Sequence, residues 1–153
     1  MEYIEDIMNK FAKDLRYYGR MQKSDKYTQG IDIDRFLYLE KVPKRTTDPY
    51  TGPAVYFLID NQGRLVKIGQ TANLHNRMFR QYKCVTNATN NRIREHVRSV
   101  SSLSVHYVPF KQHSIDRFGY ELKTSYSSAL EYHLLKEYKK SYDRLPELNT
   151  MIK

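Results

Sequence analysis

Ala54-Val55-Tyr56-Phe57-Leu58-Ile59, then Asp60-Asn61-Gln62-Gly63, then Leu65-Val66-Lys67-Ile68-Gly69 is the stretch that decides the fold. The first run is apolar, β-branched and aromatic, and too short for a core helix, so it reads as a strand. Four turn-forming residues follow it, and then a second β-rich run. Two such runs joined by a short Gly-containing loop predict a hairpin. Thr71 or Asn73 can then cap a helix reaching about residue 83, because a short oxygen-bearing side chain satisfies the free amides of a helix start.

Working upstream, residues 44–53 (Lys-Arg-Thr-Thr-Asp-Pro-Tyr-Thr-Gly-Pro) are dense in turn residues and set the hairpin apart from what precedes it. Residues 1–18 read as an amphipathic helix, with Tyr3, Ile4, Ile7, Met8, Phe11, Leu15 and Tyr18 at three- and four-residue spacing. Residues 19–30 read as a loop, and Phe36-Leu37-Tyr38-Leu39 is an apolar cluster of ambiguous type. Downstream, residues 90–100 read as a basic helix and Leu103 to Phe110 as a third strand. Residues 111–123 read as a loop, and a helix is expected from Ser127 to Tyr142 on Leu130, Leu134, Leu135 and Tyr138. The expectation is an α+β domain: a small, mostly antiparallel three-stranded sheet flanked by helices. Residues 1–50 form an N-terminal helical arm of that same domain, and 51–153 the core, with a basic helical insertion at about 87–101.

Composition narrows the function. With 153 residues, 40% of them hydrophobic and 28% charged, the chain has a globular make-up. No run of about 18 apolar residues exists to span a membrane, and the N-terminus lacks the basic start and apolar run of a secretory signal. The single cysteine, Cys84, excludes an intramolecular disulfide and any multi-cysteine zinc site, so an intracellular protein is expected. Lys and Arg number 26 against 17 Asp and Glu, a formal charge of +9 that favours a polyanionic partner. Fourteen tyrosines and no tryptophan add rings that can stack on bases or fill a core.

Gly52-Pro53-Ala54-Val55-Tyr56, then Lys67-Ile68-Gly69, then Arg77, Glu131 and Pro146-Glu147-Leu148-Asn149 together resemble the dispersed motif of the GIY-YIG nuclease superfamily. The resemblance spans about residues 52–149. Ala54-Val55-Tyr56 stands where that family has Gly-Ile-Tyr, and Lys67-Ile68-Gly69 where it has Tyr-Ile-Gly. Lysine in place of the second tyrosine is similar to small type II restriction endonucleases of the superfamily. Many relatives carry His or Tyr one helical turn after the arginine, where this chain has Gln81 beside Tyr82. The resemblance implies an endonuclease acting on double-stranded DNA in a bacterial or phage-infected cytoplasm. It implies Tyr56, Lys67, Arg77, Glu131 and Asn149 as site residues, and one Mg²⁺, or Mn²⁺ in its place, held by Glu131.

The chemistry is coherent in its own right. Phosphodiester hydrolysis needs an activated water, neutralised phosphoryl oxygens and a stabilised leaving oxygen. One carboxylate suits Mg²⁺, which keeps several waters and takes a phosphate oxygen as ligand. Arg77 can fork onto the phosphate. A tyrosine hydroxyl, with an ordinary pKa of about 10, is a poor base unless a cation stabilises the phenolate, and Lys67 offers that cation. Each residue also has a plainer reading: a strand tyrosine, an exposed strand lysine, a solvated helix arginine and a turn asparagine. Ser128-Ala129-Leu130-Glu131 also matches a capping box, in which the glutamate merely bonds an amide. In the family reading Asn149 orients the active-site end of the last helix.

Lys44, Arg45, Arg92, Arg94 and Arg98 are the candidate DNA contacts, from the arm and the basic insertion. A palindromic target implies a homodimer, with the apolar face of the N-terminal helix either part of the contact or a cover for the sheet. The five histidines show no metal-ligand spacing and default to the surface, His106 being an outside candidate for a DNA contact. Rival readings are a phage or mobile-element nuclease of the same superfamily with nicking or structure-selective action, and a non-catalytic DNA-binding module.

Overall fold

The structure, a computed structural model, describes Asp6 and residues 9–23, 37–39, 50–79, 92, 93, 95–97 and 102–150, without side-chain detail at 22, 23, 37–39 and 79. Its main sheet holds five antiparallel strands: β1 (Arg16–Lys23), β2 (Leu37–Leu39), β3 (Ala54–Asp60), β4 (Leu65–Thr71) and β5 (Ser102–Pro109), in the order β2-β1-β5-β3-β4. The expected hairpin is β3–β4, with Tyr56 opposite Gly69 and Leu58 opposite Lys67. β5 is the expected third strand and lies on the other side of β3, with Tyr107 opposite Tyr56. Helix α1 (Leu74–Phe79) follows the hairpin, a second hairpin forms from β6 (His113–Arg117) and β7 (Tyr120–Thr124), and helix α2 (Ser127–Tyr142) closes the series.

Both faces of the sheet are covered, which is why β3 reads as a continuous apolar run rather than an alternating one. One face gathers Tyr18, Met21, Ala54, Tyr56 and Leu58 under Leu74 and Met78 of α1, Ile93 and Val97. The other gathers Val55, Phe57, Ile68 and Val108 under Leu134, Leu135 and Tyr138 of α2.

The α+β class therefore stands, but the sheet has five strands where three were expected. The helix expected over 1–18 is helical at residues 6, 9 and 10 among those described, turns at 11–14, and gives way to β1 at Arg16. The Arg16-to-Lys23 run joins two adjacent tyrosines to Met21, and pairing with β5 buries Tyr18 and Met21 while completing the backbone hydrogen bonds. Tertiary pairing outweighs a helical spacing that Tyr18 happens to continue. Phe11 and Leu15 pack against the α2-side core, with the Phe11 and Phe57 rings 6.2 Å apart. At these two positions the apolar face covers the sheet, one of the two roles expected of it. β2 falls in the ambiguous apolar cluster, and the loop expected over 111–123 is the β6–β7 hairpin.

Candidate active site

The β3–β4 turn is closed by Asp60, whose Oδ1 accepts from the amides of Gln62 and Arg64, both at 2.9 Å. Its Oδ2 accepts from Arg64 Nε at 3.0 Å. Burial alone would push this carboxyl up, but those donors outweigh it and hold its pKa below the usual carboxylate range. The turn fixes the hairpin register, and the register sets the site. Cross-strand partners share a face, so Tyr56 and Lys67 stand on the same face as diagonal neighbours. That separation is roughly 7–8 Å between Cα atoms and within reach of long side chains.

Tyr56 is only 2% exposed. Its ring lies directly across Gly69, where any Cβ would collide with the ring and hydroxyl. The glycine of Lys67-Ile68-Gly69 is thus a seat for the tyrosine of the opposite strand. Lys67 is half-buried, one of two β4 residues not fully buried.

Arg77 arrives on the same face by way of a fully satisfied helix start. Asn73 Oδ1 accepts from the Asn76 amide at 2.9 Å, and Thr71 Oγ1 accepts from the Asn73 amide at 3.1 Å. The amides of Leu74 and His75 donate to the carbonyls of Gly52 and Tyr50, both at 3.1 Å. Leu74 and Met78 anchor α1 in the core that holds Tyr56. The Nε of Arg77 is buried and has no hydrogen-bond partner among the described residues. A buried donor left unpaired costs free energy, so this atom can take a further acceptor.

Glu131 belongs to α2, on the opposite face of the sheet, but over the edge strand β4. Ser127, one turn before it, is buried and donates to Gln70 Oε1 at 3.2 Å. Leu135, one turn after it, is in the core. The helix begins at Ser127 with Tyr126 as N-cap and no side-chain cap bond, so the Ser128–Glu131 capping box does not form. Glu131 is half-buried.

Asn149 grips the free edge of β4. Its Oδ1 accepts from the Ile68 amide at 2.9 Å and its Nδ2 donates to the Ile68 carbonyl at 2.8 Å. The Leu148 amide adds a bond to the Val66 carbonyl at 2.8 Å. The Asn149 side chain thus holds the strand that carries Lys67.

An aromatic cluster beside Tyr56 went unread in the sequence. Tyr50 stacks on Tyr107 with centroids 5.1 Å apart, and Tyr18 hydrogen-bonds His75 Nδ1 at 2.6 Å. Burial, with Tyr107 nearby, pushes the Tyr18 hydroxyl up to about 12. The surface default for histidine holds at His113 and His133 and fails at three others. His75 is half-buried against Tyr18, the buried Nε2 of His96 has no partner among the described residues, and burial lowers the pKa of His106.

Among the expected DNA contacts, Arg92 is exposed and donates through Nη2 to the Glu147 carbonyl at 2.9 Å. Lys44, Arg45, Arg94 and Arg98 lie outside the described residues, as do Gln81, Tyr82 and Cys84. No described helix is long and apolar enough to cross a membrane.

No protein-family model matches the chain, and no curated protein matches it in sequence. Solved structures do match in fold. The restriction endonuclease HPY188I, in complex with product DNA, is similar at a TM-score of 0.57 and 14% identity, over 98% of this chain and 90% of that one. A mutant of bacteriophage T4 EndoII is similar at a TM-score of 0.61 and 14% identity, over 96% of this chain and 98% of that one. The fold of this chain is one that it shares with these two proteins.

Proposed function

We propose that this chain is a divalent-metal-dependent endonuclease that hydrolyses phosphodiester bonds of double-stranded DNA. In this reading it is a GIY-YIG nuclease most like the small type II restriction enzymes of that superfamily, working as a homodimer on a two-fold site. The observation that carries the reading is the buried Nε of Arg77, which has no partner among the described residues and lies on the sheet face that holds Tyr56. A phosphodiester oxygen is the acceptor that this donor lacks, and a guanidinium can fork onto it through two N–H groups. The fold shared with two solved nucleases supports the same reading.

The donor set suits a hard divalent ion held weakly by protein. Among the described residues no group of three or more His, Cys, Asp or Glu forms a metal cage. In this reading the DNA phosphate sits at the outer edge of β4, reached by Arg77 from one face of the sheet and by Glu131 from the other. Glu131 alone, with waters and that phosphate, matches the preference of Mg²⁺, or of Mn²⁺ in its place. When bound, the ion supplies charge neutralisation at the phosphate and at the departing 3′ oxygen. The chain's own residues do the rest. Arg77 orients the phosphate, Lys67 stabilises Tyr56 as its phenolate, and that phenolate oxygen takes the proton of the attacking water and becomes the neutral phenol. Asn149 keeps β4, and so Lys67, in register.

A plasmid cleavage assay with and without divalent ion tests this. Glu131→Ala is expected to abolish cutting while DNA binding survives, and Tyr56→Phe to lose roughly 10²–10⁴-fold in rate as a general base would. Full cleavage by the Glu131 variant overturns the metal assignment. Discrete fragments mark a restriction enzyme. Random nicking favours the second reading, a structure-selective phage or mobile-element nuclease, for which the likeness to EndoII speaks. Salt-sensitive binding without any cutting means a non-catalytic module.

A further inference from the structure

The β6–β7 hairpin is the most unusual surface of the described molecule. Every residue of both strands is exposed. Of the seven large hydrophobic side chains exposed among the described residues, four (Ile115, Phe118, Tyr120 and Leu122) lie on this hairpin and a fifth, Tyr126, follows it at the start of α2, so apolar surface is gathered here rather than scattered. Isolated two-stranded hairpins are marginal in water, so an arm of this kind needs something to lie against.

Its two faces differ in chemistry. The register places His113, Ile115, Arg117, Tyr120, Leu122 and Thr124 on one face, and Ser114, Asp116, Glu121 and Lys123 on the other. Both carboxylates of the arm fall on the second face, where Glu121 accepts from the Ser114 hydroxyl at 3.3 Å and lies 3.9 Å from Lys123. The first face joins apolar and aromatic groups to an arginine and carries no acid. In a chain of formal charge +9, such a face complements a polyanion with stackable groups.

The tip is stranger still. Phe118 and Gly119 have φ of 56° and 79°, a left-handed two-residue turn of the kind that Asn-Gly favours. A bulky residue there is strained. Yet the Phe118 side chain is 83% exposed, with the Arg117 guanidinium 5.3 Å from its ring centroid. No packing inside the described chain accounts for the ring.

Resting on the reading of this chain as a nuclease for duplex DNA, we propose that β6–β7 is a DNA-inserting arm. Its acid-free face lies along the minor groove, and Phe118 wedges between base pairs while Arg117 meets the adjacent phosphates. The base of the arm is fixed beside the candidate site. The Ser125 and Ser127 hydroxyls are 2.9 Å apart, and Ser127 holds Gln70 of β4 one turn before Glu131. Five-residue strands reach roughly 17 Å at about 3.4 Å per residue, so the wedge enters about five base pairs from the cut at 3.4 Å per step.

The test uses the full chain and Phe118→Asn, which removes the ring but keeps the turn, since asparagine accepts left-handed backbone. Binding to a mixed-sequence duplex is measured without divalent ion, permanganate maps unstacked thymines on a plasmid fragment, and sedimentation gives the oligomeric state. Wild type is expected to unstack a step about five base pairs from its mapped cut. The variant should lose that reactivity and bind about tenfold more weakly, as expected for one stacked contact, with thermal stability no lower than that of wild type because asparagine relieves the strained turn. Arg117→Ala should lower the salt slope of binding by about one. Binding within about twofold of wild type and an unchanged permanganate pattern overturn the proposal. So does a variant that changes oligomeric state while its DNA affinity holds, since the arm then meets a second copy. Wild type that neither binds nor cuts duplex DNA overturns the nuclease reading itself, an outcome distinct from loss of the wedge alone.

Discussion

The molecule contains two hairpins built alike and used oppositely. In β3–β4 every residue of the first strand except Ile59 is buried, and in the second only Lys67 and Gln70 are not. Of those two, Lys67 shares a face with Tyr56, and Gln70 accepts from Ser127 at the start of α2. In β6–β7 every strand residue is exposed. Covering both sides of the first hairpin makes it rigid enough to set a tyrosine and a lysine in register. Leaving the second uncovered frees both of its faces for a partner. The same local structure thus serves once as scaffold and once as probe of the surroundings.

Three substitution pairs sharpen the contrast. The largest effect is expected in packing. Phe57→Ala removes a fully buried ring of β3 and should cost about 3–5 kcal/mol. Ile115→Ala, on the exposed arm, should stay within about 0.5 kcal/mol. Denaturant titration of both variants checks this, and equal losses would mean that the arm is buried in solution. Next come the glycines. Gly69→Ala puts a methyl group where the Tyr56 ring lies, and displacing that ring by about 1 Å should cost roughly a hundredfold in cleavage rate. At Gly119 nothing lies within 4 Å of an added Cβ, but φ is +79°. Gly119→Ala should therefore cost about 1 kcal/mol of stability for its backbone alone and leave cleavage chemistry intact. A Gly69 variant that cuts at the wild-type rate would remove Tyr56 from the mechanism.

The smallest pair concerns the acids. Asp60 is buried in its turn with its carboxyl held below the usual range. Its stabilising contribution is full above the ordinary carboxylate pKa of about 4 and is lost as pH falls through the folded-state value, because the unfolded chain binds the proton first. Asp60→Asn should cost about 1–3 kcal/mol near neutrality and flatten the acid side of the stability profile. Asp116→Asn on the exposed hairpin should do neither. Thermal melts across acidic pH separate the two.

What could be read from the sequence divides along the same line. The β3–β4 hairpin, the Asn73 cap and the Ser127–Tyr142 helix were legible because each is written in adjacent residues: an apolar run, a short oxygen-bearing side chain, a helical stripe. Tyr56 and Lys67 stood out in the sequence only through the resemblance to the GIY-YIG motif, and the hairpin register puts them on one face. β1 was not, because Tyr18 continues the helical spacing of Leu15 and Phe11, while the strand's partner residues on β5 lie eighty or more positions on. The β6–β7 hairpin was missed since its turn is Phe-Gly rather than Asn-Gly and its apolar residues face outward, so alternation signalled no core. The seat of Tyr56 on Gly69 was hidden for another reason: a missing side chain gives no pattern of its own.

The grip of Asn149 on Ile68 has a consequence for solubility. β4 is an outer strand of the main sheet, and its free backbone groups are a template on which a strand of another molecule could add. One amide side chain imitates a strand for the length of a single residue, meeting both the N–H and the C=O of Ile68. The Leu148 amide extends that imitation to Val66. The tail therefore works as a selvedge, and a chain that let go of it would gain an adhesive border at the moment it lost the register of Lys67. Self-association and inactivity would then arrive together, from the loss of one side chain's hydrogen bonds.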